Sequence, residues 1–146
     1  MSRNKARLVA MQSLFQLDDD PKAVPAVAEH RAAEENLTDS DVGYLNGVLS
    51  SVAANKDSID AHIGGFSIDW DLHRLGKVER AILRLAVGEM LYIDDVPTSV
   101  AINEAVLLGK KYGADQSAKF INGILGKFSR EVLKEEKKSG RPKDIK

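Results

Sequence analysis

Residues 78–93, VERAILRLAVGEMLYI, form the stretch that decides the fold. Apolar side chains recur here at spacings of three and four, which is the period of an α-helix. They comprise Val78, Ile82, Leu83, Leu85, Ala86 and Leu91. Because a helix that is apolar over most of its circumference is usually buried, the stretch predicts a central helix around which the other elements pack.

The same helical period continues on both sides of this stretch. The other predicted helices cover residues 4–17, 26–36, 42–63, 98–112 and 117–132, with a short helical turn within residues 66–77. TDSD offers capping residues before the third helix, and Gly64 and Gly65 are expected to end it. No segment shows the sustained period-two alternation of a strand, so the pattern predicts an all-α protein.

The length and composition are those of one globular domain. The chain has 146 residues, of which 43% are hydrophobic, and this is enough to build one core without metals or disulfides. We expect a single-domain bundle of six or seven helices within residues 1–133. Residues 134–146 are densely charged and are expected to form a flexible tail.

The charge and the absent cysteines restrict the class of protein. The chain has no cysteine and a net charge of −1. Disulfides, thiolate zinc sites and thiol nucleophiles are therefore excluded, and a cytoplasmic location is expected. The basic start resembles a signal peptide, but Gln12 and Gln16 interrupt the apolar run that follows it. No run approaches the roughly 18 apolar residues of a membrane span.

Motifs for metal binding or catalysis are not found in the sequence. His30, His62 and His73 lack the i, i+4 spacing of a helical metal site. GADQSAKF lacks the second glycine and the magnesium-binding hydroxyl of a phosphate loop, and IGGFS lacks the central serine of a nucleophile elbow. We therefore expect no cofactor and no metal.

Two carboxylates on the predicted central helix remain candidates for chemistry. Glu79 and Glu89 lie on a mostly apolar helix, where a buried charge needs a partner. We expect Glu79 to pair with Arg80 or Arg84, or to face solvent. An enzyme would require both acids in one solvent-accessible cleft, so we interpret the chain as non-catalytic.

Two clusters suit an anionic partner. Arg3, Lys5 and Arg7 lie on the first two turns of the first helix, where their charges oppose the helix dipole and a phosphate backbone would relieve the repulsion. The alternative is that they form an ordinary solvated face.

The second cluster lies in KFINGILGKF. Lys119, Phe120 and Asn122 place a cation, an aromatic ring and an amide near a helix start, a combination that suits the unstacked bases of single-stranded RNA. Phe120 could equally be a core residue.

Several motifs in order resemble one family. They are RNKAR followed by AMQSLF, then LGKVERAILRLAVGEML, DVPTSVAINEAVLLGKKYG and SAKFINGILGKF. Together they resemble the NusB family of bacterial transcription antitermination factors. The resemblance is dense over residues 69–128, and over residues 18–66 it rests mainly on helix spacing.

The resemblance implies an all-helical fold of two packed halves without catalytic activity. It also implies binding to the single-stranded boxA element of ribosomal RNA leaders together with NusE, a ribosomal small-subunit protein. The pair would then join RNA polymerase and the other Nus factors and suppress premature termination.

The resemblance also implies roles for individual residues. Those assigned to RNA are Arg3, Lys5, Arg7, Phe15, Lys119, Phe120 and Asn122, and those assigned to the protein partner are Glu79 and Arg80. The basic start is less arginine-rich than in many relatives, and Phe15 stands where a tyrosine is common, so RNA binding without NusE is expected to be weak.

One hypothesis of a different class stays open at this point. The spacing of apolar residues from Val42 to Ile63 also suits a helical protein-interaction module. Such a module could form a homodimer in which the RNA-binding face is covered.

Overall fold

The computed structural model describes residues 2–66 and 76–133, and in this part of the chain the protein is all-helical. Seven α-helices follow one another: α1 (Ser2–Leu14), α2 (Ala23–Glu34), α3 (Asp39–Ala54), α4 (Lys56–Phe66), α5 (Lys77–Tyr92), α6 (Thr98–Tyr112) and α7 (Ser117–Phe128). A π-helical turn, Ser129–Leu133, continues α7. The predicted all-α class is confirmed. Residues 67–75 of the segment 66–77 in which a helical turn was predicted, with His73 among them, and the tail from residue 134 lie outside the described residues.

Helix α5 is the centre of the fold, as its apolar sequence predicts. Every residue from 81 to 90 is buried. On one side α5 contacts α1 and α3, which also contact each other and α2; on the other side it contacts α4, α6 and α7. The protein therefore has two halves, one of α1–α3 and one of α4, α6 and α7, and both pack against α5.

The prediction of one long helix over residues 42–63 is wrong, because the helix is interrupted at Asn55. Its backbone leaves the helical region at φ −121° and ψ 24°, and its side-chain Nδ2 donates to the Ser51 carbonyl at 2.8 Å. An asparagine amide that bonds to the backbone competes with the helix in this way. Val52 of α3 and Ile59 of α4, on either side of the break, are both fully buried. Since α4 runs on to Phe66, Gly64 and Gly65 do not end the helix either.

The predicted start of α3 agrees with the structure. Thr38 adopts an extended backbone, and its hydroxyl accepts a hydrogen bond from the Asp41 N–H at 3.2 Å. This is a standard N-terminal cap. The cap places Asp41 and Tyr44, one turn apart, on the face of α3 that meets α1.

No helix in the described residues has both the length and the apolarity that crossing a bilayer requires.

Candidate functional site

Arg3 lies on the first turn of α1 and packs against α3. Its Nε donates to Asp41 Oδ1 at 3.0 Å, and its Cζ lies 4.5 Å from the centroid of the Tyr44 ring. The Asp41 side chain is buried, whereas 31% of the Arg3 side chain is accessible. Arg3 is therefore held from one side and open to solvent on the other.

Arg7, one turn further along α1, lies inside the protein. Its Nε donates to Glu89 Oε2 at 3.1 Å, and only 5% of Arg7 and 1% of Glu89 are exposed. The Tyr44 hydroxyl donates to the same Glu89 oxygen at 2.9 Å. These contacts join α1, α3 and α5 through one carboxylate.

Burial controls the proton affinities in this network. Desolvation raises the pKa of Glu89 above its ordinary value, although the charge of Arg7 and the Tyr44 hydrogen bond oppose the rise. Desolvation and the nearby Glu89 charge also raise the pKa of Tyr44. The phenol of Tyr44 therefore stays neutral and remains a hydrogen-bond donor at physiological pH.

Arg3, Lys5 and Arg7 do not form one basic face on α1. Residues two apart on a helix point to opposite sides, so Lys5 cannot share a face with the two arginines. Lys5 is exposed. Since Arg7 is buried, Arg3 and Lys5 are the two of these cations that solvent reaches, and they lie on different sides of α1.

Phe15 lies just beyond the carboxyl end of α1, beside the start of α5. It is 37% exposed, and Lys77 Nζ lies 5.7 Å from its ring centroid. Twelve residues separate it from Arg3, which corresponds to about 18 Å along a helix. Phe15 therefore offers an aromatic face well away from Arg3.

Glu79 is a buried residue that fastens the turn before α7. Its Oε2 accepts hydrogen bonds from the Ala114 N–H at 3.1 Å and from the Ser117 hydroxyl. Desolvation alone would raise its pKa, but these two hydrogen bonds stabilise the carboxylate and lower the pKa overall. Glu79 thus ties the start of α5 to the turn that precedes α7 and to the first residue of α7.

The expected partners of Glu79 are wrong, because the neighbouring arginines bond elsewhere. Arg80 Nε donates to Asp18 at 3.1 Å, and Arg84 donates to Asp60 at 2.8 Å and to Asp18 at 3.0 Å. Arg80 is partly buried, with 16% of its side chain accessible.

The residues predicted on α7 fall into two groups. Lys119 and Asn122, three residues apart and thus on one face of the helix, are both exposed. Phe120 is partly buried and packs against the core, which supports the reading of it as a core residue. The exposed pair lies within the first two turns of the helix that Glu79 anchors.

Glu79 and Glu89 do not share a cleft. They lie ten residues apart on α5, about 15 Å along the axis, and each is bound to groups of its own. In the described part of the chain no group of His, Asp or Glu side chains could hold a metal ion. The arrangement suits binding through scattered cations and the exposed ring of Phe15.

Three residues that contact the candidate site were not predicted from the sequence, namely Asp41, Tyr44 and Lys77. The sequence signal that points to Tyr44 is Glu89, because a charge on an apolar helix requires a polar partner. The residues that surround it lie 45 and 82 positions away in the chain, so spacing could not identify them.

Comparison with known proteins connects this geometry to one family. The NusB family model matches residues 4–130. The transcription antitermination protein NusB of Natranaerobius thermophilus is 41% identical over 137 residues, which are 92% of this chain and 99% of that protein. The NusB protein of Heliobacterium modesticaldum is 39% identical, and the match spans 90% of this chain and 64% of that longer protein.

Solved structures of the same fold include two informative relatives. T. maritima NusB has a TM-score of 0.81 and 32% identity, and the match covers 92% of this chain and 94% of that one. A crystal structure of antitermination factors NusB and NusE in complex with dsRNA has a TM-score of 0.77 and 26% identity, with 88% and 96% covered.

Proposed function

The chain belongs to the NusB family, and from this premise we propose that it is a transcription antitermination factor that binds RNA and catalyses no reaction. Its RNA is the boxA-type leader of ribosomal RNA operons, bound as a single strand together with NusE. The complex joins RNA polymerase and the other Nus factors in the cytoplasm. The proposal rests on one observation. Over 88% of its length this chain has the fold of the matched chain in the crystal structure of NusB and NusE in complex with dsRNA.

The accessible groups of the two predicted clusters would make the RNA contacts. Arg3, Lys5 and Lys119 supply cations for phosphates, and Asn122 supplies an amide for a base edge. Phe15 offers an exposed ring on which a base can stack, and stacking of this kind is strongest for unpaired nucleotides. This aromatic contact favours single-stranded RNA.

Arg7 takes part in this proposal only indirectly. Its guanidinium is bound to Glu89 and almost wholly buried, so a phosphate cannot reach it while the pair is intact. Phe120, which packs against the core, likewise supports the surface from below. Both residues keep the binding surface in shape.

Salt dependence of RNA binding tests the proposal. We expect the affinity for a fluorescent boxA-type RNA to fall with KCl at a log–log slope of about −2, since each of three phosphates contributes about −0.7. Alanine at Lys5 or Lys119 should reduce the steepness of that slope by about 0.7 each. Fluorescence anisotropy over a KCl series measures both quantities.

Lys22 gives a matched control, because it is an exposed lysine that precedes α2 and lies outside the proposed surface. Lys22→Ala should keep the slope of the unmodified protein. Affinity that does not respond to salt, or that falls equally with Lys22→Ala and Lys5→Ala, contradicts the proposed phosphate contacts.

The start of α5 is the proposed contact for NusE. Arg80 is partly buried there, and Glu79 shapes the same region by holding the turn before α7. We expect Arg80→Ala to weaken NusE binding by about tenfold. Losing one hydrogen bond from a charged group costs about 1.4 kcal/mol of binding free energy, which corresponds to this factor. Isothermal titration calorimetry measures the affinity. Unchanged NusE affinity would remove Arg80 from the interface.

Exposed apolar side chains on α6 support a second candidate function, that of a protein-interaction module that forms homodimers. Val100 is 39% exposed and Leu107 is 48% exposed, on one side of the helix. A dimer that dissociates when RNA is added would support this module, and light scattering distinguishes it from a monomer that binds RNA directly.

A further inference from the structure

We propose that Tyr44 is a positioning residue for RNA binding, because its ring carries the Arg3 guanidinium in an orientation ready for a phosphate. The inference rests on the proposed RNA-binding function and adds a residue of α3 to it. Tyr44 lies outside both basic clusters.

The contacts of Tyr44 fix its ring under Arg3. The residue is 7% exposed, and its hydroxyl is tied to Glu89 of α5 at 2.9 Å. Arg3 Cζ lies 4.5 Å from the ring centroid, and Arg7 Cζ lies 5.8 Å from it. One buried ring thus underlies both arginines of α1, and of the two only Arg3 remains partly accessible.

The ring holds Arg3 without reducing its charge. A guanidinium is attracted to the face of an aromatic ring by the quadrupole of the ring. Asp41 also holds Arg3, but as a carboxylate it competes directly with a phosphate for the same cation. The neutral phenol of Tyr44 does not compete, so it can keep Arg3 in place while Nε stays bound to buried Asp41 and the other guanidinium N–H groups bind the RNA.

Orientation matters because a free arginine side chain has many rotamers. Ordering them on binding costs conformational entropy, and a side chain already held in the bound orientation avoids most of that cost. Removing the ring should therefore weaken binding through Arg3 and through no other cation.

A double-mutant cycle tests this dependence. We expect Tyr44→Leu to weaken binding of boxA-type RNA by about fivefold, the effect of one cation–π contact, and to reduce the steepness of the salt slope by up to about 0.7. In the Arg3→Ala background, Tyr44→Leu should cause no further loss. Tyr44→Phe keeps the ring and should bind RNA within about twofold of the unmodified protein.

Two outcomes overturn the positioning role. One is a Tyr44→Leu effect that is as large without Arg3 as with it, and the other is an equal loss for Tyr44→Phe and Tyr44→Leu. If the unmodified protein shows no salt-dependent RNA binding, the proposed function itself fails. Salt-dependent binding with an additive cycle contradicts the positioning role alone.

A second measurement does not depend on the folding of Tyr44→Leu. Protons above an aromatic ring are shifted upfield, so the Arg3 side-chain protons should show such a shift in the NMR spectrum of the unmodified protein and of Tyr44→Phe. Arg3 proton shifts of an ordinary exposed arginine in both proteins would show that the ring does not hold the guanidinium, and would overturn the inference.

Discussion

The Arg7–Glu89 pair joins two charges that are both almost completely removed from solvent. Each charge loses its hydration on folding, and only the partner charge and the Tyr44 hydroxyl compensate for that loss. Such a pair contributes little net stability, but either charge without the other is costly. Its effect is to fix the position of α1 relative to α3 and α5.

Substitution of Arg7 should expose this dependence. We expect Arg7→Met to lower the free energy of unfolding at pH 7 by about 3–5 kcal/mol, because Glu89 stays buried without its cation. Urea unfolding followed by circular dichroism measures the change. The double variant Arg7→Met/Glu89→Met should recover most of the lost free energy of unfolding. If it does not, the loss in Arg7→Met comes from altered packing and not from the unpaired Glu89 charge.

The same loss should depend on pH in a defined direction. The pKa of Glu89 is already raised by burial, and Arg7 is the largest influence that opposes the rise. Without Arg7 the folded protein holds the Glu89 proton at a higher pH than the unfolded chain does. Stability of Arg7→Met relative to the unmodified protein should therefore recover as the pH falls from neutral towards the ordinary glutamate range.

At the scale of helices, the crossing of α3 over α5 depends on one small residue. A Cβ atom built at Gly88 would lie 2.6 Å from Val52 Cγ2, closer than two carbon atoms can approach. The absent side chain lets the two helices come together and places Tyr44 near Glu89. A residue with poor helix propensity is thus retained in the centre of the main helix.

An alanine at this position should separate the two helices. We expect Gly88→Ala to destabilise the fold by about 1–3 kcal/mol, the usual cost of overpacking. Gly47→Ala in α3, where a Cβ would meet nothing within 4 Å, should instead be neutral or stabilise by up to about 1 kcal/mol. Urea unfolding compares the two, and equal effects would contradict a packing role for Gly88.

Helix ends show how much local sequence can decide. Thr38 caps α3 as its sequence predicts, because the required donor lies three residues away. Helix α7, in contrast, begins after Gln116 without a side-chain cap. Glu79, 38 residues before Ser117, accepts a hydrogen bond from the Ser117 hydroxyl at the start of α7, and no local pattern could identify it.

For the whole molecule, α5 connects the two halves through an ion cluster as well as through its apolar face. Arg84 is 4% exposed at its side chain and bridges Asp60 of α4 and Asp18 of the α1–α2 connection. Burial raises the pKa of Asp18, but the hydrogen bond and charge of Arg84 outweigh that effect and lower it overall. The cluster joins elements from both halves to the shared helix.

This arrangement predicts unfolding of both halves in one step. Arg84→Met should lower the free energy of unfolding by about 2 kcal/mol, the usual effect of losing charged hydrogen bonds, while the transition stays single. Calorimetric and van't Hoff enthalpies should agree for both proteins. Two separate transitions in the unmodified protein would show that α5 does not couple the halves.

The sequence by itself determined the helical class, the central place of residues 78–93 and the family. These features are local or ordered along the chain: apolar side chains repeat with the helical period, and the motifs of the family lie in consecutive blocks. Exposure of Lys5 and the core packing of Phe120 were within the range of such reasoning, since helical spacing separates their faces.

Only the tertiary structure decided which cation meets which acid. Arg7 is separated from Glu89 by 82 residues, and Arg3 from Asp41 by 38. Helical spacing shows which face of α1 a residue occupies, but the partner on that face depends on how α3 and α5 cross it. For this reason the sequence predicted three cations open to phosphate, whereas folding leaves Arg3 and Lys5 accessible and makes Arg7 part of the interior.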